Sequence, residues 1–185
     1  KNVSGCFVVF LVLMKTYVDR FKTNDMWPLR HIFPYVAITT ITDVMSLSLP
    51  LNRHMVRVGL NEINSYRNKL WMFINKKLGI TGEITSKHLG FTIGPLVNTG
   101  NRVDREQLVF DLLKSNTFET VNDNLEALVS LNTYRKNVTK KLVNVEKDKL
   151  YKSKFKYSIV ALLETELSVA GIIASNIGEG KRLPT

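Results

Sequence analysis

The stretch Ile80-Thr-Gly-Glu-Ile84-Thr-Ser-Lys-His88-Leu89-Gly90-Phe91-Thr-Ile93-Gly94-Pro95-Leu96-Val97 decides the fold class. It continues as Asn98-Thr-Gly100-Asn-Arg102-Val103-Asp104-Arg105-Glu-Gln-Leu108-Val109-Phe110-Asp-Leu112-Leu113. From Ile84 to Leu96 the apolar residues are spread over nearly all faces, which predicts a helix buried on most of them, with Leu89 and Phe91 both in the core. On that expectation Phe91→Ala costs roughly 3–5 kcal/mol. Gly94-Pro95 weakens the last turn, because proline lacks a donor and glycine adds backbone freedom. Asn98, Gly100 and Asn101 then form a turn signal. A new helix starts near Asn101 or Asp104, with Val103, Leu108, Val109, Leu112 and Leu113 facing inward.

These residues resemble the matrix proteins of orthomyxoviruses, the influenza-like family, with this chain as a divergent member. The matching positions are Ile80, Ile84, Thr85, Leu89, Gly90, Phe91, Val97, Arg105, Val109 and Leu113. A weaker match follows at Leu167-Ser-Val-Ala-Gly171, Ala174-Ser175 and Gly178, so the resemblance runs from about Asp43 to Gly180. It implies a structural viral protein that forms a layer in the virion beneath the envelope. Such a protein binds anionic inner-leaflet lipid and viral ribonucleoprotein or RNA, and it self-assembles. In an infected cell the resemblance implies cytoplasm, the inner face of the plasma membrane, or nucleus. The first forty residues have no counterpart in that family, and its Cys/His cluster is absent.

Elsewhere the chain reads as helices. Gly5 to Met14 has the apolar core of a signal peptide but no small-residue cleavage site, and the helical pattern continues through Lys15 and Arg20, so a buried N-terminal helix is expected. Asn24-Asp25 stops it, and Pro34 with the β-branched run Ile38 to Thr42 points to a short or kinked element. Further helices are expected from Ser48 to Asn64, Ser65 to Leu78 (with Gly79 as C-terminal cap) and Thr120 to Leu142. A loop is expected over Asn144 to Lys156, then an apolar helix from Tyr157 to Ile177. With no convincing strand pattern, the expected architecture is all-α. It has two consecutive helical bundles, residues 1–97 and 103–180, joined by a short linker, with 181–185 as a tail.

Length supports a sizeable core, and 44% hydrophobic with 23% charged residues is ordinary for a globular protein. The net charge of +10 calls for an acidic partner: nucleic acid, an anionic membrane surface or an acidic protein. The charge is clustered, at +5 over Arg53 to Lys87, −3 over Arg102 to Glu126, and +7 over Arg135 to Lys156. The candidate lipid- or RNA-binding residues are therefore Arg53, Arg57, Arg67, Lys69, Lys76 and Lys77, then Arg135, Lys136, Lys140, Lys141, Lys152, Lys154 and Lys156. The acidic stretch, with Asp104, Glu106, Asp111, Glu119, Asp123 and Glu126, is the candidate self-association surface, pairing with a basic block of the next copy.

Catalysis finds no support in the residues. His31, His54 and His88 are isolated, and a single cysteine, Cys6, excludes an internal disulfide and a zinc finger. Glu164 and Glu166 lie two apart and so on different helix faces. No enzyme, metal or cofactor is expected. The alternative to a matrix protein is a soluble helical RNA- or nucleoprotein-binding adaptor of different descent.

Overall fold

The computed structural model describes residues 3–25, 27–151 and 169–178. Among these, the chain is all-α. The helices are α1 (Gly5–Phe21), α2 (Phe33–Thr42), α3 (Pro50–Asn64), α4 (Lys69–Lys77), α5 (Ser86–His88), α6 (Gly94–Arg102), α7 (Glu106–Lys114), α8 (Phe118–Tyr151) and α9 (Ala170–Gly178). A 3-10 turn, Trp27–Ile32, leads into α2, and a π-helical turn, Leu89–Ile93, joins α5 to α6.

Helix α2 sits at the centre. Val36 and Ala37 are fully buried and Ile38 nearly so, in a ten-residue helix that carries no charge and whose residues are all buried or half-buried. The closest neighbour is α3, which reaches α2 at Gly59: a Cβ there would lie 2.4 Å from Ala37 Cβ and 2.5 Å from the Phe33 carbonyl oxygen. On another side Phe7 and Phe10 of α1 pack on Val36, with the Phe10 and Phe33 rings 5.1 Å apart. The main core collects Ala37, Ile38, Ile63, Trp71, Ile84, Leu89, Ile93 and Leu96 together with Leu112, Val121, Leu125 and Leu128 of α7 and α8. Local pinning supports it. Asn64 holds the extended approach to α5 by donating to the Ile84 carbonyl at 2.9 Å and accepting the Ile84 N–H at 2.8 Å. Thr85 caps α5, and the His88 ring completes the capping box by accepting the Thr85 N–H at 3.1 Å. Gly79, with φ +62°, ends the α4 segment in the left-handed region as its sequence position implies.

Several expectations are corrected. Leu89 is fully buried, but Phe91 is 81% exposed, since residues two apart on a helix do not share a face and only Leu89 and Ile93 meet the core. Apolar residues on opposite faces hid that difference. Residues 98–102 are helical; Gly100 is there for close approach, as a Cβ would come within 2.4 Å of Val109 Cγ2. Helix α8 does not stop at Leu142 but continues to Tyr151 through the segment expected as a loop, because lysine and glutamate are good helix formers. Helix α1 is not buried all round: Phe7 and Phe10 are inside, while Val8, Val9 and Val12 are at least half exposed. The rest of the expected 144–156 loop, most of the 157–177 helix and the 181–185 tail lie outside the described residues.

Two variants separate the buried from the exposed side of the π-turn. Leu89→Ala should destabilise by about 2–5 kcal/mol, whereas Phe91→Ala should stay within about 1 kcal/mol of the parent in urea unfolding. Gly59→Ala should lower stability by at least about 1–3 kcal/mol, since the new methyl group meets backbone that cannot yield. A parent-like melting temperature for Gly59→Ala would place α3 wrongly against α2.

Candidate nucleic-acid interface

The turn that projects Phe91 also makes a cleft. The Gly94 N–H bonds to the Leu89 carbonyl, five residues back, so the helix widens by one residue ahead of Pro95, which has no N–H to give. Gly94 lies tight against the end of α2, where an added Cβ would be 2.4 Å from Thr42 Cγ2. Between this turn, the end of α2, α8 and α9 lies a cleft of about 640 Å³. Its apolar lining comes from Ile41, Leu47 and Ile172, with the exposed Val44 and Phe91 on the rim. Its charged lining is Lys87, Arg102 and Arg135. A smaller recess of about 300 Å³ adjoins it through Arg135 and Ile172 and adds Lys136 and Lys140. No carboxylate is among the described residues that line either space.

Arg135 is held in place from behind. Its Nε and Nη2 donate to Asn132 Oδ1 at 3.3 and 2.9 Å. The same oxygen lies 3.0 Å from the Thr99 hydroxyl, and both Thr99 and Asn132 are buried. The Thr99 hydroxyl is also 2.7 Å from the Pro95 carbonyl, so its one proton serves one acceptor at a time. This small polar network ties α6 to α8 and fixes a cation at the cleft wall. Partial burial, with the like charge of Arg102 adding to it, lowers the Arg135 pKa below the usual guanidinium value. The group remains charged, so the cleft concentrates positive potential that an incoming anion would relieve.

The predicted cations are distributed unevenly. Arg135, Lys136 and Lys140 come together at the cleft, joined by Lys87 and Arg102, which the sequence did not single out for binding. Lys141 is exposed on α8, and Lys152, Lys154 and Lys156 lie outside the described residues. In the first block, Arg67 makes an ion pair with Glu62 at 2.9 Å and stacks 5.2 Å from the Trp27 ring centre, with Arg30 at 4.5 Å from that ring. Lys76 lies over the Phe118 ring, Lys77 pairs with Glu126 at 3.1 Å, and Lys69 is exposed. Arg53 donates to the Leu47 and Ser48 carbonyls at 2.7 and 2.8 Å, and Arg57 is exposed one turn further on. The six acidic candidates are exposed. Asp104 sits in a left-handed turn, Glu106 is in the first turn of α7, and Glu119 is in the first turn of α8. Asp111 accepts from Gln107 at 2.9 Å and Asp123 accepts from Asn122 at 3.2 Å, while Glu126 is bound to Lys77.

Burial raises the Cys6 thiol pKa, only partly offset by a hydrogen bond with Thr39, and the nearby Asp43 adds to the rise. A thiol kept protonated is a poor nucleophile. Among the described residues no three His, Cys, Asp or Glu side chains gather as a metal site, and no helix is long and apolar enough to cross a membrane.

No family model and no curated protein matches the chain. Solved structures do. The chain is similar to RecJ in complex with Mn2+ from Thermus thermophilus, at 23% identity and a TM-score of 0.72, over 90% of this chain and 24% of that one. It is similar to RecJ in complex with Mg2+ from the same organism, at 24% identity and a TM-score of 0.73, over 90% of this chain and 26% of that one. A third structure, exonuclease RecJ bound to manganese, matches at 23% identity and a TM-score of 0.71, over 90% of this chain and 41% of that one. The chain thus spans about a quarter to two-fifths of these proteins, and at such identity the likeness is one of fold.

That fold likeness overturns the resemblance to orthomyxovirus matrix proteins, and with it the viral, virion and structural-layer reading. The residues that carried the resemblance are mainly packing residues, which a helical fold of other descent needs equally. The adaptor alternative fits no better. The expectation of a chain unrelated to enzymes is overturned as well, since the matched structures are exonucleases, although the match covers only part of each.

Asn132→Ala should cost about 1–3 kcal/mol by removing the acceptor that orients the Arg135 guanidinium, while the Thr99 hydroxyl keeps the Pro95 carbonyl. Asn132→Asp, which keeps an acceptor and adds a charge partner for Arg135, should be closer to the parent in denaturant unfolding. Equal stability of Asn132→Ala and the parent would remove the network from the account.

Proposed function

We propose that this chain acts in nucleic-acid processing by gripping the backbone of a nucleic-acid strand in the Phe91 cleft. The observation that carries the reading is an 81% exposed phenylalanine on the rim of a cleft whose charged lining is entirely cationic. Lys87, Arg102 and Arg135 suit phosphate oxygens, and Arg135 can do so bidentately because Asn132 orients its fork. Phe91 offers a π-face to an unstacked base, a contact tolerant of base identity. A lipid headgroup would satisfy the cations but would give the exposed ring no stacking partner. The fold shared with RecJ exonucleases supports the same class of substrate.

Those structures hold Mn2+ or Mg2+, but the described residues of this chain do not supply a donor set for either ion. The role proposed for its residues is therefore to bind, orient and hold a strand. Bond cleavage is not assigned to any of them.

Fluorescence anisotropy with a labelled single-stranded oligonucleotide tests the reading. Binding should weaken with salt, and Arg135→Ala should reduce the slope of log affinity against log salt by about 0.7. Phe91→Ala should cost roughly 1–3 kcal/mol of binding with little change in that slope, and Phe91→Trp should restore it. If neither variant changed affinity, or if anionic vesicles bound while the oligonucleotide did not, the cleft would not be a nucleic-acid site.

A further inference from the structure

The cleft does not end at Phe91. On the side away from Lys136 it meets a second cavity of about 810 Å³, and Leu47 and Ser86 line both. The two spaces therefore lie side by side along one groove, meeting at Leu47 in the loop between α2 and α3 and at Ser86 in the first turn of α5. The second cavity has an apolar floor of Val56, Leu60 and Ile84, with Arg57 and His54 on its wall. Arg57 is exposed on α3, with Nη2 3.2 Å from His54 Nδ1, and it has no carboxylate at ion-pair distance among the described residues. Arg53, one turn before it, donates to the Leu47 and Ser48 carbonyls and so braces the loop that carries Leu47. Glu83 is the one acidic residue in the described lining, and it sets a polarity along the groove that the cleft itself lacks.

We infer that this second cavity is a further nucleotide subsite on the same strand track, with a base against the Val56–Leu60–Ile84 floor and its phosphate on Arg57. The inference rests on the cleft reading and extends it. A strand long enough to leave the Phe91 cleft toward α3 crosses Leu47 and Ser86 and reaches this cavity next, because those two residues border both spaces. Flat apolar surface takes a base of any identity, and a guanidinium on the rim takes the phosphate. Arg57 is then a binding residue whose contribution depends on strand length, which distinguishes it from the cleft cations.

The test uses the full chain with two single-stranded oligonucleotides, one of about 4 nucleotides and one of about 12, the span that single-strand sites commonly cover. Arg57→Ala is compared with the parent and with Lys114→Ala, which removes an exposed cation outside the groove. The subsite predicts that Arg57→Ala loses about ten-fold or more on the longer strand, as expected for one charge-assisted contact, and stays parent-like on the shorter. Lys114→Ala should stay near the parent on both. Circular dichroism of Arg57→Ala should match the parent, since the residue is exposed. Equal behaviour of the two variants on the longer strand would overturn the subsite, as would an equal loss by Arg57→Ala on both strands. If the parent bound neither strand, the cleft reading would fall and the subsite with it. Parent binding to both strands with Arg57→Ala unaffected removes only the subsite.

Discussion

Helix α2 carries no charged residue and is enclosed along its length, and the way α3 encloses it governs what surrounds it. With hydrogen in place of a side chain at Gly59, α3 comes down onto the Ala37 methyl group and the Phe33 carbonyl. Contact at that distance is possible only where one partner contributes no Cβ. Once α3 is seated, the far end of α2 (Ile41 and Thr42) is left to the π-turn and α6, which approach through Gly90 and Gly94. The wall of the cleft is thus the last turn of a helix whose position was set at the opposite side of the core.

Charge follows the same geometry. Glu62 and Glu126 are engaged within the fold, one binding Arg67 and lying 3.7 Å from Arg30, the other binding Lys77. Such exposed or half-exposed pairs add little stability, roughly 0–1 kcal/mol each. Their larger effect is on the field, because they neutralise Arg67 and Lys77 of the first basic block. Lys87, Arg102, Arg135, Lys136 and Lys140 line the cleft and its adjoining recess without a carboxylate among the described lining residues. The buried Thr99–Asn132 contact then converts one of these cations from a flexible charge into an oriented one. Orientation matters more than charge count for a ligand as specific in shape as a phosphodiester.

The cleft also shows how far residue types carry an argument. Arg135, Lys136 and Lys140 were recognisable as candidates because charge clustering is written along the chain. Lys87 and Arg102 were not, since each looks like an ordinary surface cation until α6 and the π-turn bring it beside Arg135. Phe91 was misplaced for a related reason. Where apolar residues stand on opposite faces, as Leu89 and Phe91 do, hydrophobicity alone does not say which face is buried. A signal was present nonetheless: Leu89 and Ile93, four apart, define one face, and residue 91 falls opposite.

Local chemistry was enough to establish the helical class, the glycine stop at Gly79, the inward Leu112, and the basic clusters. Helical periodicity and capping depend on neighbours within about four residues, so they can be read from the chain alone. Descent could not be read in the same way. Positions such as Leu89, Val97, Val109 and Leu113 answer to packing, and packing is satisfied by apolar residues of suitable size in any helical protein. Tertiary structure decided what depended on distant partners: which glycines are points of contact, which acids neutralise which bases, and that Thr99 and Asn132, 33 residues apart, meet behind Arg135. Those outcomes turn on distances between helices, and side-chain bulk at contacts such as Gly59 and Gly94 sets those distances only after the chain has closed on itself.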